Sequence, residues 1–343
     1  MSHIIRKNTA SRATIADVAH HAGVSKATVS RFLNHRDTLL SPEIAGRVAA
    51  AVQALSYTPS PMAQALKRGR SRLVGLVVAD ITNPYSVAVL SGAEHACRQA
   101  GFLMMLFNLG NERDRESAGL RVLSGYQVEG FILNTMGLEQ EAVVTPALQG
   151  RPVVLVDRLR QGMDADFVSL DNQQAIAMCV GHLNEAGYDE LLLVTEPPAG
   201  ISSRQERVAA FEALHGGRGA WVASRADDPA GLIRALQAVR SRATRAPALI
   251  AGNAVITMRI VEAVAELGWR LGSDIGLVGI DDTAWAPYVG PGISAVAQPT
   301  DALGTLAAQC LIERMEGLDV PARAIRLPGV LMARGSTCRT ISG

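Results

Sequence analysis

The sequence predicts an N-terminal all-α helix-turn-helix head followed by a two-lobed α/β body with parallel sheets. Three observations predict it. Apolar residues between Thr14 and Leu55 recur at helical spacing, interrupted by one well-placed glycine. The charge balance changes sign after Arg72. From Leu73 onward, short apolar runs alternate with amphipathic segments, as in repeated βα units.

The head begins with Ile15, Val18, Ala19 and Ala22 at i, i+3, i+4 and i+7, one buried helix face. Thr14 precedes that face with Asp17 three residues on, which suits an N-cap with a capping-box partner. Gly23 falls where the chain must turn left-handed. Ser25 can cap a second helix that buries Val29, Phe32 and Leu33 and turns Lys26, Ala27, Thr28, Ser30 and Arg31 outward. A plain helical hairpin shows the same periodicity. The outward face favours DNA, because it carries cationic and hydroxyl donors, one small residue and no acid. A third helix follows, with Ser41 as N-cap, Pro42 in the first turn, and Ile44, Val48, Val52 and Leu55 as its buried stripe.

Between Met1 and Arg72 there are 11 Lys and Arg against Asp17, Asp37 and Glu43, a charge of +8; the whole chain carries +1, so the remainder carries −7. A basic head therefore sits on an acidic body. Only the head has the sign that displaces counterions from DNA. The segment Tyr57-Thr58-Pro59-Ser60-Pro61 breaks the helical pattern. Met62–Leu66 is then either an ordinary linker or a hinge that becomes helical only on DNA, since so short a helix is marginal alone. The expected divisions are a head over 1–58, a hinge and linker over 59–72, and a body over 73–343.

In the body, strands are expected at Leu73–Val78, Phe102–Phe107, Gly130–Leu133, Val153–Val156, Leu191–Thr195, Ala248–Ala251 and Ile275–Ile280. Three helices share one ending, at Ala100-Gly101-Phe102, Ala186-Gly187-Tyr188 and Leu267-Gly268-Trp269. The roughly 270 residues of this pattern exceed one comfortable core, so two lobes are expected. Ligands in such folds bind beyond the carboxyl ends of the strands.

Several function classes are excluded. No apolar run approaches the ~20 residues that span a membrane, and no signal-peptide segment precedes the head, so a cytoplasmic location is expected. Cys97, Cys179, Cys310 and Cys338 are widely spaced and read as reduced thiols. His20 and His21 lack further ligands, so neither a metal nor a cofactor is expected. No P-loop, GxGxxG, GxSxG or HExxH occurs, which argues against an enzyme. A transporter's extracytoplasmic sugar-binding protein fits the body but leaves the head unexplained.

Six segments carry a resemblance over nearly the whole chain: TIADVAHHAGVSKATVSRFLN, YTPSPMAQAL, LVGLVVADITNPYS, VVLVDR, SSRQERVAAF and VGIDDTAW with ISAVAQP. The chain resembles the LacI/GalR family of transcriptional regulators, and within it the repressors that respond to 2-ketogluconate. The resemblance implies a homodimer reading a pseudo-palindromic double-stranded operator. It implies that Lys26, Ala27 and Arg31 read bases, that Thr14, Ser25, Thr28, Ser30 and Asn34 contact phosphates, and that Leu66 wedges the minor groove. Ser60-Pro61 departs from the asparagine common after the hinge-leading proline.

The family's effector domain is similar to periplasmic sugar-binding proteins, with two lobes joined by three crossovers. The implied N-lobe spans about 73–167 plus 299–327, and the C-lobe about 168–298 plus 328–343. Matching positions line the cleft as Asp80, Tyr85, Ser86, Asn134, Asp157, Ser203, Arg207, Asn253, Asp281 and Gln298, with Arg158 and Arg204 beside them. A carboxylate ligand needs a fixed cation, and arginine's planar fork suits it. Arg204 either reaches into the cleft or pairs with Glu206 or another acid; Asp281 is either a ligand contact or a structural cap. Asn253-Ala254 replaces the family's usual Asn-Asp, and no aromatic residue occurs over Arg225–Pro229, leaving Tyr85 or Trp285 for any sugar stacking. Losing an acid and keeping arginines both point to a sugar acid, 2-ketogluconate or a related gluconate derivative. A neutral sugar or a nucleoside or purine remains the alternative, and the effector either relieves or reinforces repression. The segment LPGVLMARGST is followed by no heptad-patterned tail, so no coiled-coil tetramer is expected.

Overall fold

The computed structural model describes residues 13–34, 40–59, 70–112, 115–136, 144, 147–160, 162–188, 190–215, 220–244 and 247–338. Its contacts divide the chain into two units, Met1–Ser71 and Arg72–Gly343.

The first unit holds α1 (Ile15–Ala22), α2 (Lys26–Leu33) and α3 (Pro42–Ala54). Local chemistry sets their ends. The Asp17 carboxylate accepts from the Thr14 amide at 2.8 Å, and the Asp17 amide donates back to the Thr14 hydroxyl at 3.3 Å. Gly23 ends α1 at φ 64°. Ser25 and Ser41 accept from the amides of Thr28 and Ile44. Val18, Ala19, Ala22, Val29, Val48 and Ala51 form the core, flanked by Ile15, Phe32, Leu33 and Leu55. Arg47 of α3 reaches back to donate to the Ala22 carbonyl, from Nε at 3.0 Å and Nη2 at 2.6 Å, so it holds the turn between the first two helices.

The second unit runs β1 (Leu73–Val78), α4 (Pro84–Gln99), β2 (Leu103–Asn108), α5 (Glu116–Gly125), β3 (Gly130–Asn134), β4 (Val153–Val156) and β5 (Asp166–Leu170). It continues through α6 (Asn172–Glu185), β6 (Leu191–Thr195), α7 (Ser202–His215), β7 (Ala220–Ala223), α8 (Pro229–Arg242), β8 (Ala248–Ala251) and α9 (Ala254–Glu266). Then come β9 (Gly276–Ile280), β10 (Ser294–Ala297), α10 (Thr300–Met315), β11 (Ala324–Leu327) and β12 (Val330–Met332).

Two six-stranded sheets result, ordered β11-β5-β4-β3-β1-β2 and β12-β10-β9-β8-β6-β7. Every pairing is parallel except that of β10 with the edge strand β12. The two-lobed parallel α/β class read from the sequence is the one observed. Helices cover both faces of each sheet, and each face has its own apolar core. The repeated Ala/Leu-Gly-aromatic endings each close a Schellman motif: Phe102, Tyr188 and Trp269 donate to the carbonyls of Cys97, Leu183 and Val264 at 2.8, 3.0 and 3.0 Å.

The chain passes between sheets at Asp171, at Gln298-Pro299 and at Pro328-Gly329. The first passage lies beyond the 167/168 division expected from sequence, because β5 stays in the first sheet as far as Leu170. Asp166 and Ser169 interrupt the apolar run there, so hydropathy does not mark where that strand ends. Strand β2 likewise starts at Leu103, with Phe102 buried in the helix cap before it. Strands β5, β7, β10, β11 and β12 lie outside the expected set: β7, β11 and β12 are sheet edges, whereas β5 and β10 are interior strands whose apolar runs are broken or shortened by Asp166, Ser169 and Ser294.

Candidate functional site

In the head, α2 presents Lys26, Ala27 and Arg31 at exposed positions, while Thr28, Ser30 and Asn34 are half-buried. Thr14 and Ser25 are exposed at the N-caps of α1 and α2. The Ser25 and Thr28 hydroxyls lie 2.9 Å apart, and Asn34 Nδ2 donates to the Ser30 carbonyl at 2.6 Å. No acid lies in the first turn of α2. The result is a donor-rich surface with the chemistry that meets phosphates and base edges. Leu66 lies outside the described residues.

In the body, strand order reverses beside β1 in one sheet and beside β6 in the other. Such switch points open a crevice beyond the carboxyl ends of the strands. Asp157 follows β4 and Asp281 follows β9. Arg207 of α7 is buried close to both. Its Nε donates to Asn172 Oδ1 at 2.8 Å and its Nη1 to the Gly252 carbonyl at 2.5 Å, while Asp157 Oδ1 stands 3.9 Å from Nη2. Asp157 Oδ2 accepts from Arg158 Nε at 3.2 Å and from the Ser203 hydroxyl at 3.3 Å. Asp281 accepts from the Ala254 amide at 3.0 Å and from Gln298 Nε2 at 2.6 Å. Asp281 thus caps the first amide of α9.

Tyr85 is buried, and its hydroxyl has no hydrogen-bond partner in the structure; Gln298 Oε1 is in the same state. Burial and the negative charges of Asp157 and Asp281 push the phenol well above its usual range, so it remains a donor at neutral pH. Loss of water around the Asp281 carboxyl raises it, against the pull of Arg207 and its hydrogen bonds. Both effects come from concentrating charges where little solvent reaches them.

Tyr85, Asp157, Arg158, Ser203, Arg207, Asp281 and Gln298 therefore converge. Arg204 and Asn253 form a neighbouring group through Glu196, whose Oε2 accepts from Arg204 Nη2 at 2.6 Å and Asn253 Nδ2 at 2.7 Å. Asp80 is engaged locally with Thr82 and Asn111, at 2.7–2.9 Å. Asn134 donates to the Val156 carbonyl, and Ser86 is buried on α4. Trp285 packs against the core of the second lobe.

Of the acids open to Arg204 it is Glu196 that pairs with it and not Glu206, because residues two apart on a helix point to different sides. Glu206 instead pairs with Arg326. Three residues absent from the expected set matter here: Asn172, Glu196 and Glu206. Glu196 directly follows β6, the kind of position that the strand-end rule singles out. It also returns an acid beside Asn253, where the Asn-Ala pair had removed one.

A helix-turn-helix head on a two-lobed parallel α/β body is the arrangement of a transcriptional regulator. The sequence matches bacterial regulatory proteins of the lacI family over residues 14–60 and a periplasmic binding protein-like domain over residues 180–337. It is 43% identical to the HTH-type transcriptional regulator PtxS of Pseudomonas plecoglossicida, covering 95% of this chain and 96% of that one. It is 36% identical to the HTH-type transcriptional regulator KdgR of Bacillus subtilis (strain 168), covering 97% and 100%. The lac repressor dimer bound to operator and the anti-inducer ONPF has the same fold, with a TM-score of 0.81 at 22% identity, covering 95% of this chain and 99% of that one. The chain belongs to the lacI family and is a DNA-binding transcriptional repressor, not an enzyme. Among the described residues no helix is long and apolar enough to cross a membrane.

Proposed function

We propose that this repressor binds a pseudo-palindromic operator as a homodimer and releases it when a small sugar acid, 2-ketogluconate or a related gluconate derivative, occupies the cleft. The observation that carries the effector reading is Arg207. It is buried, its hydrogen bonds run to neutral acceptors, and its nearest carboxylate contact is open at 3.9 Å. A ligand carboxylate would complete its charge pairing, while the Tyr85 hydroxyl and Gln298 Oε1 supply a donor and an acceptor for sugar hydroxyls. Asp157, Arg158, Ser203 and Asp281 complete this inner group; Arg204 and Asn253 form its flank, and Asp80, Ser86 and Asn134 its first-lobe wall.

On the DNA side, Lys26, Ala27 and Arg31 read base edges, and Thr14, Ser25, Thr28, Ser30 and Asn34 hold phosphates, with Leu66 as the minor-groove wedge. A ~100-fold loss of operator affinity requires about 2.7 kcal/mol of differential effector binding between the two states.

A neutral sugar is the second reading, favoured by one observation. Arg158 and Arg204 are each already paired with an acid, Asp157 and Glu196. Calorimetric titration with 2-ketogluconate, gluconate, ribose and adenosine separates the two. Binding of 2-ketogluconate, lost in Arg207→Ala, supports the sugar-acid reading. Binding of ribose or adenosine alone rejects it.

A further inference from the structure

We propose that Glu206 and Arg326 are positioning residues for effector recognition: Arg326, from the other lobe, holds Glu206, which orients the Asn172 amide and, through it, the guanidinium of Arg207. The inference rests on the reading of Arg207 as the group that meets the effector.

The chain of contacts is continuous. Arg207 Nε donates to Asn172 Oδ1 at 2.8 Å, and Asn172 Nδ2 donates to Glu206 Oε2 at 2.8 Å. Arg326 then donates from Nη1 and Nη2 to the two Glu206 oxygens, both at 2.8 Å. Glu206 lies on α7 in the second lobe, whereas Arg326 lies on β11 in the first sheet. The Arg326 guanidinium is also placed over the Phe167 ring, 5.6 Å from its centroid.

Each link has a single possible polarity. A guanidinium has no acceptor and an ionised carboxylate has no donor, so only the amide between them can face either way. Turned over, Asn172 would set its NH2 against Arg207 and its oxygen against Glu206, opposing like groups at both ends. Asn172 is fully buried, so bulk water cannot relieve that mismatch. Burial alone would raise the Glu206 carboxyl, but its hydrogen bonds from Arg326 and Asn172 outweigh this and keep it ionised. Glu206 therefore fixes the amide from one end as Arg207 meets it from the other, and Arg326 holds Glu206 in place.

The half-exposed Arg326–Glu206 pair adds little to stability by its charges alone. Its consequence lies in geometry. Beside it, the Asp171 amide donates to the Leu327 carbonyl at 2.8 Å, tying the first passage between lobes to the end of β11. The relation between the lobes at that junction is thus transmitted to the donor face of Arg207.

The test compares wild type with Glu206→Ala, Arg326→Ala and the exchange Glu206→Arg/Arg326→Glu. Three quantities are measured: 2-ketogluconate affinity, thermal midpoint, and the Nε–H nuclear magnetic resonance signal of Arg207, assigned by its loss in Arg207→Lys. Glu206→Ala is expected to move that signal and weaken 2-ketogluconate ~10-fold, the scale of one charge-assisted hydrogen bond. Arg326→Ala, an edge substitution that leaves the core intact, is expected to move it in the same direction with a roughly threefold loss. The exchange is expected to restore the ion pair but neither the affinity nor the full midpoint, because an arginine at position 206 turns the Asn172 oxygen away from Arg207 and sets two donors against each other. An unmoved Arg207 signal in both single variants overturns the proposal, as does an exchange that restores affinity together with the midpoint. If wild type does not bind 2-ketogluconate, the sugar-acid reading fails, while the Arg207 signal still decides the positioning role.

Discussion

Asp157 and Asp281 occupy the same place in the two lobes. Each follows the fourth strand of its sheet in chain order, each adopts a left-handed backbone with φ of 66° and 79°, and each donates its amide across to the next strand, to Val168 and Val296, at 3.0 Å. The conformation costs a non-glycine residue on the order of 1–3 kcal/mol. The surroundings over-determine it in both lobes. The partners nevertheless differ: Asp157 meets Arg158 and Ser203, whereas Asp281 meets the first amide of α9 and Gln298. One fold feature thus places two carboxylates at matching strand ends and gives them different partners.

Asp281→Ala removes the acceptor for Ala254 and Gln298 together. A loss of about 2 kcal/mol is expected, the sum of a lost helix cap and an unsatisfied donor. Asp281→Asn keeps one acceptor and is expected to lose about half as much. Urea denaturation midpoints of the three proteins check the order.

Arg31→Ala should weaken specific operator binding by about 1–3 kcal/mol per half-site, because a bidentate guanine contact has no substitute in alanine. Effector titration should be unchanged. Gel-shift and calorimetric measurements on the same preparation test both halves; operator binding that survives unaltered removes Arg31 from the proposed reading set.

Gly23→Ala puts a methyl group on a backbone at φ 64°, with the new carbon 2.7 Å from Arg47 Nη2. Strain of about 1–2 kcal/mol is expected, together with loosening of the Arg47 bonds to Ala22. The head should melt earlier, and operator affinity should fall while the effector domain's transition stays in place. Differential scanning calorimetry resolves the two transitions.

Asp166 has the largest pH consequence. Its side chain is fully enclosed, and although burial acts to raise its carboxyl, hydrogen bonds from Arg314 and Arg323 hold it well below the usual range. A carboxyl lowered by folding stabilises above its unfolded value, near 4, and that contribution fades as pH falls through the folded value. Asp166→Asn should therefore cost about 2 kcal/mol at neutral pH, discounted because both guanidiniums reach solvent. The gap to wild type should stay constant between pH 5 and 8 and narrow only below about pH 4. A gap that closes near pH 6 would falsify the assignment.

The helix caps of the head were legible in the sequence because they are built from residues three apart. Thr14 with Asp17, Ser25 with Thr28, and Ser41 with Ile44 bond within one turn, so spacing alone reveals them. The glycine that ends α1 and the Gly-aromatic endings of α4, α6 and α9 are local in the same sense. Buried strands such as β3 and β8 announce themselves by unbroken apolar runs, whereas β7 and β11 are part-exposed edges that do not.

The order of caps, turns and βα units, and the contrast between a basic head and an acidic body, follow from the chain alone, since each depends on neighbours in sequence. Which acid holds which arginine does not. Glu196 meets Arg204 across a helix-leading loop, and Glu206 meets Arg326 from 120 positions away. The Asn172 amide bridges Glu206 and Arg207, 34 and 35 positions further along the chain. Hydrogen-bond polarity and ion pairing act over about 3 Å in space whatever the separation along the chain. Which acid meets which arginine is therefore decided by tertiary packing, while the elements that carry them are written locally.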